Sequence, residues 1–157
     1  MTLQNKTAPA TLIATWFGVG FLPLMPGTWG SLAALPFAWA IQTAGGPWAM
    51  AVAVVLAFAL GTWASAKVLA GWDVADPPSI VIDEVAAQWL VLMPFQPDWI
   101  TYAAGFVLFR IADILKPWPA SWIDQEMKGP LGVMLDDLVA GAYALLVLVP
   151  MQQWILV

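Results

Sequence analysis

The chain contains neither cysteine nor histidine among its 157 residues. The absence of cysteine excludes disulfide bonds, thiolate nucleophiles and zinc–thiolate sites. The absence of histidine removes the usual general base near neutral pH and the phosphohistidine nucleophile. Any catalytic chemistry in this chain must therefore use carboxylates, hydroxyl groups, Lys, Arg or a hard metal ion.

Charged residues are also scarce, at 10% of the sequence, whereas 62% is hydrophobic and the mean hydropathy is +0.82. Soluble globular domains carry about 25% charged residues. No charged side chain lies between Lys6 and Lys67. This composition predicts an all-α integral membrane protein, a compact polytopic bundle among membrane lipids, with a soluble oligomer of very apolar helices as the alternative. The net charge of −5 argues against a nucleic-acid partner.

Hydropathy and turn signals divide the chain into five apolar segments, which we predict to be helices. Gly45-Gly46-Pro47 is predicted to be a tight turn, and Thr28 the N-cap of the first helix. Some segments are shorter than the roughly 30 Å hydrocarbon core, so we expect one or two short or re-entrant helices. We expect one domain over 1–157, with a polar tail at 1–11 and polar loops at 67–79 and 120–132. The predicted helices cover 29–41, 48–66, 80–95, 99–115 and 133–149.

The distribution of lysines predicts an orientation. When Lys6 is placed in the cytoplasm and the five helices alternate, Lys67, Lys116 and Lys128 also fall there, as the positive-inside rule prefers. The same threading brings the clusters of charged residues to that face. We therefore expect a site at the cytoplasmic side of the membrane.

Two acidic pairs, Asp83-Glu84 and Asp136-Asp137, stand next to or inside apolar segments. An ionisable residue at membrane depth is costly and marks a candidate functional site. Such a pair can also simply complement the dipole of a helix start. Because carboxylates at one depth repel each other without a cation, we expect them to hold Mg²⁺, which prefers oxygen ligands and shares them with phosphates.

Arg110, Asp113 and Lys116 are spaced to cover one face of a helix. An intrahelical Arg110–Asp113 ion pair is one explanation. The other is a phosphate clamp, in which Arg110 provides a planar pair of donors and Lys116 a point charge. Asp113 would then orient Arg110 or join the metal ligands.

The segment Pro-Gly-Thr-Trp-Gly-Ser at 26–31 suggests a helix start with free backbone N–H groups and the hydroxyls of Thr28 and Ser31. Such a helix start can bind an anion. Asp124 and Glu126, in the second polar loop, are expected to be solvated. Metal-binding carboxylates, phosphate-binding cations and a membrane location together suggest phosphoryl chemistry on a lipid head group.

At these motifs the chain resembles the phosphatidylglycerophosphatase A family. The resemblance implies a Mg²⁺-dependent enzyme of the bacterial inner membrane, which hydrolyses phosphatidylglycerophosphate to phosphatidylglycerol and inorganic phosphate. Ala87 departs from the family pattern, in which a Gly follows the Asp-Glu pair, but this change removes no chemical group. The segments that carry the resemblance are PGTWGS (26–31), SIVIDEVAAQW (79–89), GFVLFRIADILKPWP (105–119), WID (122–124) and LGVMLDDLVAG (131–141).

The expected roles follow from these motifs together. Asp137, as the base that orients a water, is expected to act with Asp83 and Arg110 in catalysis. An aspartyl-phosphate route stays open, and so does a non-catalytic membrane protein that binds divalent cations or anionic lipid through the same carboxylates. The expected phosphate-binding residues are Thr28, Ser31, Arg110 and Lys116, and the expected metal ligands are Asp83, Glu84, Asp113, Asp136 and Asp137.

Overall fold

Helices account for the regular structure in the computed structural model, which describes residues 8–71 and 77–154. A short 3₁₀ turn, Val19–Phe21, follows the first helix. The all-α prediction is confirmed for the described residues, which contain no strand. The helices are α1 (Pro9–Ala14), α2 (Pro26–Leu69), α3 (Ile82–Leu92), α4 (Trp99–Leu115), α5 (Ala120–Glu126) and α6 (Pro130–Trp154).

Helix α2 is a hairpin of two antiparallel arms. Its helical geometry breaks at Gly46, where φ is 63° and ψ is −161°. The faces of Gly30 and Gly61 pack against the adjacent residues Val81 and Ile82, respectively. In a straight helix these glycines would be about 46 Å apart, so the chain must reverse between them. The predicted turn is therefore confirmed; we call residues 26–45 the first arm and residues 47–69 the second arm.

Helix α3 is short and lies inside the bundle, packed mainly against α2 and α6. Its 11 residues rise only about 16 Å, half the thickness of a hydrocarbon core of about 30 Å. Within the described residues, α2 and α6 are the helices long and apolar enough to cross a membrane. The expectation of one or two short helices is thus confirmed.

Side-chain hydrogen bonds of Gln42, in the first arm, and Trp89, in α3, join these two helices. Gln42 donates hydrogen bonds from its amide to the backbone carbonyls of Leu92 and Met93, at 3.2 and 2.6 Å. Trp89 donates from its indole N–H to the carbonyl of Ala34 at 3.0 Å. The last carbonyls of a helix have no partner within the helix. Gln42 therefore caps the partly buried end of α3.

One end of the bundle collects the cationic residues of the described parts. The start of the first arm, the end of the second arm, the start of α3, the end of α4 and the start of α6 all lie at this end, as the hairpin and the contacts of α3 require. We call it the site end. Its cations are Lys67 in the last turn of α2, Arg110 near the end of α4, Lys116 as the C-cap of α4, and Lys128 just before α6.

The boundaries differ from the predictions in several places. Thr28 is not the N-cap of the first arm, because the helix begins at Pro26 with Met25 as its cap. Helix α1 starts within the predicted polar tail, and α2 continues past Lys67 to Leu69. The loop predicted at 120–132 contains α5, whose seven residues are too few to give a clear periodic pattern. Lys6, Asp73 and Asp76 lie outside the described residues.

We expect Gln42→Leu to destabilise the protein although leucine is the more apolar residue. The substitution removes the Gln42 donor from the carbonyl of Met93, which costs about 1–3 kcal/mol, whereas Leu92 still accepts from the backbone N–H of Phe95 at 3.1 Å. Thermal unfolding of the detergent-solubilised protein measures the effect. Thr43→Val is the control, because the exposed Thr43 hydroxyl donates only to Trp39 in its own helix. Equal melting temperatures for Gln42→Leu and the control would show that the cap contributes nothing.

Candidate active site

Three carboxylates meet at the site end of the bundle. One oxygen each from Asp83, Glu84 and Asp137 lie within 4.8 Å of one another. Asp83 and Asp137 are buried, and Glu84 is partly buried. Because α3 begins at Ile82, the first two acids sit in its first turn, where the helix dipole favours negative charge. Asp137 comes from the second turn of α6. We call these three residues the acidic cluster.

An ion pair from α4 adjoins the acidic cluster. Arg110 Nη1 lies 2.6 Å from the Asp113 carboxylate, one turn further along the helix. The Asp113 carboxylate in turn lies near Asp137, and their negative charges repel each other. Arg110 also donates to the Ser31 hydroxyl at 3.5 Å. The intrahelical ion pair and the proximity of Asp113 to the acids, alternatives in the sequence, therefore occur together.

Gly27 allows this close approach. A methyl group at Gly27 would overlap the Glu84 carboxylate and lie 3.2 Å from Nη1 of Arg110. Glycine is the only residue without such a group. The first arm can therefore begin directly against the acid of α3 and the guanidinium of α4.

Lys116 forms a second charged group beside the acidic cluster. Its ammonium group pairs with Asp136 and, at 3.1 Å, with Asp124 of α5. Burial disfavours the charged form of Lys116, but the hydrogen bond and the charge of Asp136, with smaller contributions from Asp137 and Asp124, outweigh it and raise the pKa of Lys116 above its usual value. Lys116 is therefore a permanent cation at this site. A polar cavity of about 90 Å³ opens beside it, lined in part by Asp124, Lys128 and Asp136.

Several polar atoms at this end are buried without a hydrogen-bond partner among the described residues. They include two acceptors of the carboxylates, Glu84 Oε2 and Asp136 Oδ1, and two potential donors, Thr28 Oγ1 and Arg110 Nε. Buried polar atoms are normally paired, so each such atom needs an explanation. Unpaired acceptors and donors at the same end of the bundle fit a ligand with both cationic and anionic parts. The donor set of the cluster is all oxygen, which suits a hard divalent cation.

The structure brings together most of the residues predicted from the sequence, but in two groups rather than one. Asp83, Glu84 and Asp137 form the acidic cluster, with Asp113 at its edge. Asp136, although adjacent to Asp137 in sequence, turns to Lys116 instead, because neighbouring residues of a helix point about 100° apart.

The expectation for the segment 26–31 is partly wrong. The backbone N–H groups of Thr28 and Trp29 are not free, since both donate to the carbonyl of Met25 at 2.9 and 3.3 Å. The hydroxyls remain near the site. Ser31 donates to the carbonyl of Gly27 at 2.9 Å while it accepts from Arg110.

Three features of the site were missed by the sequence reasoning. Asp124 is not simply solvated, because it pairs with Lys116. Gly27 was predicted only to belong to a helix start, not to contact Glu84 and Arg110. Gln88, one turn after Glu84, is fully buried, and neither atom of its amide has a partner among the described residues. The family motifs WID, PGTWGS and SIVIDEVAAQW contain Asp124, Gly27 and Gln88, so the resemblance could have pointed to all three.

Comparisons with known proteins agree on one family. The profile described as phosphatidylglycerophosphatase A matches residues 12–152. A phosphatidylglycerophosphatase A from Escherichia coli (strain K12) is 44% identical over 135 residues, which cover 85% of this chain and 77% of that protein. One from Haemophilus influenzae is 36% identical over 149 residues, covering 94% of this chain and 91% of that protein.

A third relative carries a different name. This protein, from Bacteroides thetaiotaomicron, is 37% identical over 158 residues, which cover 92% of this chain and 94% of the relative. Its name describes it, provisionally, as a phosphatidylinositol-3-phosphatase. No solved structure matches the chain significantly. The family profile and the two bacterial relatives confirm the resemblance seen in the sequence motifs: the chain belongs to the phosphatidylglycerophosphatase A family.

Proposed function

We propose that this protein hydrolyses phosphatidylglycerophosphate to phosphatidylglycerol and inorganic phosphate, with Mg²⁺ as its cofactor. The acidic cluster carries the proposal. Its three carboxylates within 4.8 Å of one another, beside the guanidinium of Arg110, provide a place for a cation next to a place for a phosphate. Membership in a family of phosphoric monoester hydrolases supports the reaction class.

Asp83, Glu84 and Asp137 are the residues that would hold Mg²⁺, with Asp113 and Asp136 as neighbouring acids. The unpaired Glu84 Oε2 and the absence of nitrogen or sulfur donors fit this ion. When bound, Mg²⁺ supplies positive charge to the phosphate oxygens and makes water in the site more acidic.

Arg110 and Lys116 bind the phosphate in this proposal. The guanidinium group offers paired N–H donors that match two phosphate oxygens, and Asp113 holds it in position. Lys116, at the end of α4, adds a positive charge next to Asp136 of α6. The Thr28 hydroxyl at the start of the first arm can donate to a third oxygen, while the Ser31 hydroxyl, which donates to Gly27, accepts from Arg110.

Asp137 acts as the base. It takes a proton from the water that attacks phosphorus, the ester bond to the lipid glycerol breaks, and the proton returns to the departing alkoxide oxygen. The products are the lipid alcohol and inorganic phosphate. Asp113 lies near Asp137 and holds Arg110 beside it through their ion pair.

The location of the cations supports a cytoplasmic active site in a bacterial inner membrane. Lys67, Arg110, Lys116 and Lys128 all lie at the site end, and cytoplasmic ends of membrane helices are rich in Lys and Arg. On this basis the enzyme completes phosphatidylglycerol synthesis on the cytoplasmic leaflet.

The purified protein is expected to release phosphate from phosphatidylglycerophosphate in mixed micelles with Mg²⁺, and excess EDTA should abolish the release. Phosphatidylinositol 3-phosphate, presented in the same micelles, tests the alternative suggested by one relative's name. We expect phosphatidylglycerophosphate to be the better substrate by kcat/KM. A clear preference for the inositol lipid would contradict the proposed substrate, and full turnover in EDTA would contradict the proposed cofactor.

Asp137→Asn should keep the fold and substrate binding but lower kcat by about 10²–10⁴-fold, since the amide cannot accept the proton. The measurement is kcat at saturating Mg²⁺, with Glu126→Gln as the control, because Glu126 is exposed on α5.

Two results would contradict these roles. Recovery of wild-type kcat in Asp137→Asn at high Mg²⁺ would show that Asp137 is only a metal ligand. Chemical trapping of a phosphorylated aspartate in the wild-type enzyme would replace the water route with a covalent one.

A further inference from the structure

An apolar groove of about 520 Å³ lies between the first arm of α2 and helix α4. This volume falls within the range of small-molecule binding sites. Leu32 lies at one end, and the aromatic rings of Trp39 and Trp99 lie at the other, 4.7 Å apart. The small side chains of Ala40 and Ala103 leave the space open.

The groove leads directly away from the candidate active site. Arg110 contacts Ser31, and the ring of Tyr102 lies 5.3 Å from that of Trp39. Along the first arm, Trp39 follows Ser31 by about 12 Å, and along α4, Arg110 follows Tyr102 by the same rise. The first arm and α4 therefore run antiparallel. The groove begins at Leu32, the residue after Ser31, and continues along both helices to Trp99, the first residue of α4.

Tyr102 lines the groove and carries a buried polar atom that needs a partner. The residue is 3% exposed, and its hydroxyl has no hydrogen-bond partner among the described residues. Leaving a buried hydroxyl without a partner costs free energy, whereas a ligand that brings an acceptor removes this cost. The occupant therefore has an apolar body and an oxygen acceptor.

We propose that the groove binds one acyl chain of the lipid substrate, and that the Tyr102 hydroxyl donates to the carbonyl of its ester. This inference rests on the proposed function, which places the terminal phosphate at Arg110. In phosphatidylglycerophosphate a glycerol and a phosphodiester separate that phosphate from the acyl esters. An ester therefore lies well away from Arg110, in the direction in which the groove and Tyr102 lie.

Ala103→Phe tests this site because the ring fills the groove without touching the acidic cluster. We expect kcat/KM for dioleoyl phosphatidylglycerophosphate to fall by about tenfold, which corresponds to lost contact with two methylene groups. The deacylated head group, glycerophosphoglycerophosphate, should be hydrolysed at the wild-type rate. Ala59→Phe is the matched control, because Ala59 is exposed on the second arm outside the groove.

Tyr102→Phe isolates the hydroxyl. Its kcat/KM for the acylated substrate should fall about three- to tenfold, with no change for the deacylated head group. If both variants alter the two substrates equally, or alter neither, the groove does not bind the substrate chain. If the wild-type protein releases phosphate from neither substrate, the proposed function fails instead.

A measurement on the wild-type protein avoids any effect of the substitutions on folding. The probe is phosphatidylglycerophosphate with a photoreactive diazirine in one acyl chain, and the labelled residues are mapped by mass spectrometry. Labels at Leu32, Trp39 or Ala103, reduced by unlabelled phosphatidylglycerophosphate but not by phosphatidylcholine, support the proposal. Labels confined to other helices, or equal competition by phosphatidylcholine, would overturn it and indicate contact with bulk lipid.

Discussion

Repulsion among the carboxylates of Asp83, Glu84 and Asp137 is the constraint on which the rest of this structure depends. Negative charges that lie within 4.8 Å of one another away from water destabilise the fold unless positive charge offsets them or protonation neutralises them. The two nearest cations are already engaged, Arg110 with Asp113 and Lys116 with Asp136. A cation from solution can offset the charge of the acidic cluster, and in the proposed function the same cation prepares the site for a phosphate.

The helices are arranged so that this cluster forms at one level. A short α3 places Asp83 and Glu84 in a first helical turn inside the bundle, and Gln42 caps its opposite end. The hairpin of α2 allows both of its arms to contact α3, and Gly27 lets the first arm approach Glu84 closely. The proposed lipid groove uses the same geometry, because the antiparallel first arm and α4 run from the phosphate-binding residues into the apolar part of the bundle.

Much of this arrangement could be predicted from the sequence, for physical reasons that also explain the errors. Apolar segments and glycine–proline turns are local signals, so α4 was predicted with its observed bounds and the turn at Gly46 was recognised. The costly buried acids identified the site. In contrast, the pairing of Lys116 with Asp124 depends on α5, which is too short to produce a periodic pattern. The separation of Asp136 from the acidic cluster depends on the rotation of α6, and the partner of each helix face is set by packing between segments far apart in sequence.

The position of the bound metal tests the central claim most directly. Mn²⁺ is a hard divalent ion that replaces Mg²⁺ in many oxygen sites, and its anomalous X-ray scattering identifies it in a crystal. The account predicts an anomalous peak between the carboxylates of Asp83, Glu84 and Asp137 in crystals grown with Mn²⁺, and no peak there in crystals of the Asp83→Asn variant. A crystal with Mn²⁺ bound elsewhere, and with these three carboxylates in contact without an ion, would contradict it.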